Sequence, residues 1–82
     1  MAREAGIALA LHSPYFGPGL LATLHVAAAL EQNTMIEYSF CELGANPLGK
    51  TFAVADGRIN VPTGAGLGCD PDTQVIAKYQ VN

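Results

Sequence analysis

The stretch from Ala5 to Leu30 contains no Asp, Glu, Lys or Arg, and an uncharged run of that length must lie either in a membrane or against other protein. A spanning helix needs about 20 predominantly apolar residues in a row. Here His12, Pro14, Gly17, Pro18, Gly19 and His25 interrupt the run, so burial against protein is the expectation and no membrane is involved. A secretory signal also fits poorly, because Arg3 is followed by Glu4 and no small-residue cleavage pattern closes an apolar core. The expected location is cytoplasmic.

The rest of the chain has the same character. Of its 82 residues 50% are hydrophobic and 13% charged, about half the usual charged quarter, which reads as globular rather than disordered. A chain of this size is one domain at most and buries about 60 to 65% of its unfolded surface. Some apolar faces are therefore expected to meet more protein: a second copy, a partner, or the rest of a longer chain. The net charge is −3, and the four basic residues, Arg3, Lys50, Arg58 and Lys78, are scattered. That leaves no positive stripe for a phosphate backbone and excludes nucleic-acid binding. Cys41 and Cys69 sit in neither a CxxC nor a Cys/His ligand spacing, so no disulfide framework is expected. A small metalloprotein built from His12, His25, Cys41 and Cys69 fails on the same spacing.

Ile7 to Leu11 is a wholly apolar run between Gly6 and the His12-Ser13-Pro14 turn, the pattern of a buried parallel strand. Ser13 precedes a proline, and Gly17-Pro18-Gly19 opposes regular structure, so Ser13 to Gly19 is read as a loop. Leu20 to Leu30 is a helix, with Leu20, Leu21, Leu24, Ala27 and Ala28 on its inner stripe. Asn33-Thr34 turns the chain into a second strand, Met35 to Phe40. Strand, helix and strand with short connections form a βαβ unit with parallel strands. Cys41 to Lys50, with two glycines and a proline, is irregular. Phe52 to Val61 alternates on both sides of Asp56-Gly57, a hairpin signal. Pro62 to Gly68 is glycine-rich without a phosphate-binding pattern. The last helix is expected to be capped by Asp70 with Pro71 at its first position, and to present Val75, Ile76 and Tyr79 on one face.

Two residues are placed for chemistry. His12 follows an apolar strand, where side chains reach a site at the carboxyl end of a parallel sheet. Glu37 lies inside the second strand, between Ile36 and Tyr38, where a carboxylate is desolvated unless paired. Neighbouring strands lie about 4.8 Å apart, so both side chains can open onto one pocket as a base and its hydrogen-bonding partner. A loop histidine held by hydrogen bonds, and a glutamate paired with an edge Arg or Lys, would look the same in sequence. His25, between Leu24 and Val26, is a packing residue. Tyr15 and Phe16 either line a pocket or pin the loop.

Residues 6 to 30, Gly-Ile-Ala-Leu-Ala-Leu-His12-Ser-Pro-Tyr-Phe-Gly-Pro-Gly-Leu-Leu-Ala-Thr-Leu-His-Val-Ala-Ala-Ala-Leu, resemble the seventh strand, loop and helix of the mandelate racemase/muconate lactonizing barrels of the enolase superfamily. Asn33-Thr-Met-Ile-Glu37-Tyr resembles the eighth strand with its glutamate. The hairpin at Asp56-Gly57, then Val61-Pro62, Gly66-Leu67-Gly68 and a final helix with Tyr79 are similar to the tail that completes the family's capping domain. Ala65 departs from the proline often found there, which bears on loop stiffness rather than chemistry.

The resemblance implies an α/β fold. Residues 1–40 would be the last two strands and intervening helix of a (β/α)₈ TIM-type barrel, and residues 41–82 a tail with hairpin and helix belonging to the capping region. It implies a reaction that abstracts the proton alpha to a carboxylate (racemase, epimerase or acid-sugar dehydratase) with Mg²⁺ in the intact enzyme. His12 corresponds to the general base or acid, and Glu37 to the residue that hydrogen-bonds the substrate carboxylate or enediolate. Ser13, Tyr15 and Phe16 would line the substrate pocket. The three metal-binding carboxylates, the strand-two lysine and the aspartate orienting the histidine have no counterpart here. This chain alone is expected to bind no metal, to be inactive, and to associate with itself or with the remainder of a barrel. The alternative is a non-catalytic structural or interaction module.

Overall fold

A computed structural model describes residues 1–14, 16–30 and 34–81; Tyr15 and the Asn33 end of the expected turn lie outside the described residues. The elements are β1 (Ala10–Leu11), α1 (Pro18–Leu30), β2 (Met35–Ile36), a 3₁₀ helix (Gly49–Phe52), β3 (Val54–Ala55), β4 (Arg58–Ile59) and α2 (Thr73–Tyr79). They fall into two compact units, Met1–Phe40 and Cys41–Asn82. The fold is α/β.

In the first unit β1 and β2 pair in parallel, Ala10 opposite Met35 and Leu11 opposite Ile36. Glu37 extends this ladder, its N–H donating to the Leu11 carbonyl at 3.0 Å. Both strands are shorter than the apolar runs that announced them. Ile7 and Leu9 lie outside β1 and are exposed, because a strand lasts only as far as a neighbour pairs with it. Glu37 lies one residue past β2 rather than inside a strand, and its side chain is half exposed.

α1 begins two residues earlier than its apolar stripe suggests. Pro18 takes the first helical position, where a missing N–H costs nothing and φ is already helical. The Gly17 carbonyl accepts from Leu20 N and Leu21 N. Thr23 Oγ1 donates back to the Gly19 carbonyl at 3.0 Å, the usual way a hydroxyl is satisfied inside a helix. Leu20, Leu21, Leu24 and Ala27 are buried, and each leucine contributes roughly 1.5 to 3 kcal/mol by leaving water. Ala28, placed on the same stripe by period, is exposed, as is Val26.

The second unit is mostly loop. Among the described residues its buried side chains are Leu48 and Phe52, Leu48 in the segment whose glycines and proline had suggested only irregular chain, and Phe52 at the end of the 3₁₀ helix rather than at the start of the hairpin strand, which begins at Val54. Asn46 Oδ1 accepts from Leu48 N at 2.9 Å, shaping the turn that delivers Leu48 inward. β3 and β4 form the hairpin, with Asp56 and Gly57 both at positive φ (51° and 70°), the geometry that a two-residue loop between right-twisted strands demands. No disulfide joins Cys41 and Cys69; Thr51 Oγ1 donates to Cys69 Sγ at 3.1 Å. The cap of α2 is Asp72, not Asp70: its carboxylate accepts from Gln74 N and Val75 N. Ile76 and Tyr79 are exposed rather than packed.

Candidate functional site

The parallel register puts the residues after β1 beside those after β2. With Leu11 opposite Ile36, the next residues on the two chains are His12 and Glu37, and they meet. His12 Nδ1 lies 2.6 Å from Glu37 Oε2, with side chains 78% and 49% exposed. An ionised carboxylate only accepts, so the imidazole nitrogen donates.

Ser13 completes the arrangement from inside. It is wholly buried. Its N–H donates to Glu37 Oε2 at 3.3 Å, and its hydroxyl faces the Glu37 carbonyl at 2.7 Å and the Leu11 carbonyl at 3.2 Å. Glu37 is thus held through its own N–H to Leu11, its carbonyl to Ser13 and its carboxylate to His12 and Ser13.

Sequence reasoning had paired His12 with Glu37, and the structure brings them together. It had put Ser13 in the pocket wall, whereas the hydroxyl here faces main chain. The signal for this was faint: a serine at the end of one strand, able to reach main chain 24 residues away only through the parallel pairing. Phe16 is partly exposed. His25 lies on α1, half-buried.

What the site can do follows from its chemistry. An imidazole held at Nδ1 by a carboxylate is fixed in orientation and tautomer, with Nε2 as its proton-transferring nitrogen. As a metal cage it is deficient. Among the described residues no group of three or more His, Cys, Asp or Glu side chains is gathered, and the one carboxylate present is engaged by His12 and Ser13. The residues here do not fit Mg²⁺, whose octahedral shell takes carboxylate and water oxygens. No described helix is long and apolar enough to cross a membrane.

A protein-family model described as enolase C-terminal domain-like matches residues 1–75. No curated protein and no solved structure matches.

Proposed function

Because the chain belongs to the enolase C-terminal domain-like family, we propose that it supplies the last βαβ unit of a (β/α)₈ barrel, part of an active site that abstracts the proton alpha to a substrate carboxylate. The observation that carries this reading is the 2.6 Å contact between His12 Nδ1 and Glu37 Oε2 just past two parallel strands, where barrel enzymes of this architecture build their sites.

In the reaction His12 Nε2 takes the α-proton, the C–H bond breaks, and its electron pair stays on the substrate as the enediolate. Glu37 holds the imidazole through Nδ1 and stabilises the imidazolium that forms. Contact with the substrate then falls to Oε1, since Oε2 is engaged. Delivery of a proton to the opposite face of the enediolate, by an acid that in this reading is not among these residues, gives a racemase or epimerase; loss of a β-hydroxyl as water, protonated by the His12 imidazolium, gives a dehydratase. No step is routed through a metal, whose carboxylate ligands in this reading are not among these residues.

The test is deuterium exchange at the α-carbon of a small 2-hydroxy acid or acid sugar. The chain alone, with Mg²⁺, is expected to catalyse none. Mixed with a polypeptide carrying the first six strands of a family barrel, it is expected to restore exchange that His12→Asn lowers by about 10² to 10⁴, the span of general base catalysis. Exchange by the isolated chain would overturn the shared-site reading, and an unaffected His12→Asn complement would overturn the role of His12.

A second reading, a non-catalytic module that associates with itself or a partner, is favoured by Ile7, Val26 and Met35, large apolar side chains more than half exposed on the Met1–Phe40 unit. Sedimentation separates the two: a monomer whose mass is unchanged by Ile7→Ser with Met35→Ser counts against association.

A further inference from the structure

We infer that Ser13 is the positioning residue of the His12–Glu37 pair, an inference that rests on the proton-transfer reading of that pair. The pair is exposed on both sides, and exposed ion pairs hold their geometry weakly, since water competes for both groups and two side chains lose rotamer freedom. A contact of 2.6 Å at such a place needs a buried anchor. Ser13, with no exposed surface at all, adjoins His12 in sequence and makes every one of its hydrogen bonds to Leu11 or Glu37.

The geometry divides the work. The hydroxyl carries a single proton, and the Glu37 carbonyl at 2.7 Å is the nearer of its two acceptors. That bond sets where the Glu37 backbone stops, one residue beyond the last paired residue of β2. The Ser13 N–H at 3.3 Å from Oε2 then directs the carboxylate toward the side from which His12 approaches. Glu37 is thus held at its main-chain carbonyl and at its carboxylate by the residue next to its partner. Nothing is left for a substrate: the hydroxyl has no accessible surface, so a direct catalytic role is ruled out by burial.

A merely structural serine would close the ladder and do no more, so the test must read the pair and the ladder separately. The pair is read in the full chain from the ¹⁵N shifts of the His12 imidazole at fixed pH, with Glu37→Gln marking the unpaired end of the scale. The ladder is read from protection of the Glu37 amide, which donates to Leu11. Ser13→Ala removes the hydroxyl and keeps the N–H. It is expected to move the His12 shifts at least halfway to the Glu37→Gln values while the Glu37 amide stays protected; Ser13→Thr, which keeps a hydroxyl, is expected to stay nearer the unmodified chain than Ser13→Ala does.

Unchanged His12 shifts in Ser13→Ala would overturn the inference and leave the proton-transfer reading standing. Loss of Glu37 amide protection in Ser13→Ala would also overturn it, making Ser13 structural. His12 shifts identical in the unmodified chain and in Glu37→Gln would show that no pair exists, and both readings would fall together.

Discussion

His12 Nδ1 lies 2.6 Å from Glu37 Oε2, two side chains brought together by the parallel pairing of Leu11 with Ile36. The contact owes its existence to backbone register. A slip of one residue would send one of the two side chains to the opposite face of the strand pair.

Glu37→Gln removes the ionic half of this contact. Because both side chains are substantially exposed, the cost in folding stability is expected to stay below about 1 kcal/mol. Urea denaturation measures it. A loss well above that figure would mean that the pair holds the unit together; the expected small loss would fit a carboxylate kept for orientation rather than for stability.

The first unit depends instead on α1. Leu21 is 1% exposed, and Leu21→Ala is expected to cost about 2 to 5 kcal/mol through lost burial and the cavity left behind. Val26, on the outer face of the same helix and exposed, is the control: Val26→Ala should stay within about 0.5 kcal/mol. Comparable losses for the two would show that the outer face of α1 is covered in solution.

The inner stripe of α1 was legible because a helix carries its own period. Leu20, Leu21, Leu24 and Ala27 are buried as spacing requires, and the hairpin was legible because Asp56-Gly57 specifies its own turn. What failed to show were quantities that depend on a distant partner. Strand ends are set by the neighbour, so five apolar residues before His12 yielded the two-residue β1. Ser13 looked like a loop residue, which it is, but its burial did not show because its acceptor at Glu37 is nowhere near it in sequence. Leu48 was hidden, and Phe52 looked like the start of the hairpin strand, for another reason: a 3₁₀ turn framed by Gly49 has no long periodic signature. The proximity of His12 and Glu37 was readable because strand, helix and strand with short connections imply parallel strands, which put both their ends on one side.

The start of α2 was misplaced by two residues because Asp70 and Asp72 flank Pro71, and the rule that favours proline at the first helical position selects the wrong one. Asp72→Ala is expected to cost about 1 kcal/mol and to speed amide exchange at Gln74 and Val75, whose N–H groups it caps. Asp70→Ala should leave those amides unchanged. Exchange measured by NMR in both variants decides between the two aspartates.

Gly68 carries the sharpest steric prediction. Its φ of 84° is one that L side chains rarely adopt, and a Cβ placed there would lie 2.7 Å from Pro62 Cβ and 2.9 Å from the Pro62 carbonyl carbon and oxygen. Neither neighbour can yield, since one is a ring atom and the others are main chain. Gly68→Ala is therefore expected to cost on the order of 1 to 3 kcal/mol and to loosen the loop that ends at Cys69, so that the Cys69 thiol reacts faster with a thiol reagent. Gly44, with open space around its would-be Cβ and no positive φ, should respond in the opposite sense: alanine there restricts the unfolded chain and is expected to be neutral or to stabilise by up to about 1 kcal/mol. Urea midpoints of the two variants, with thiol labelling of Cys69, test the pair. Equal midpoints would mean that the Pro62–Gly68 approach relaxes when a side chain is added, and that the loop tolerates a conformation other than the one described.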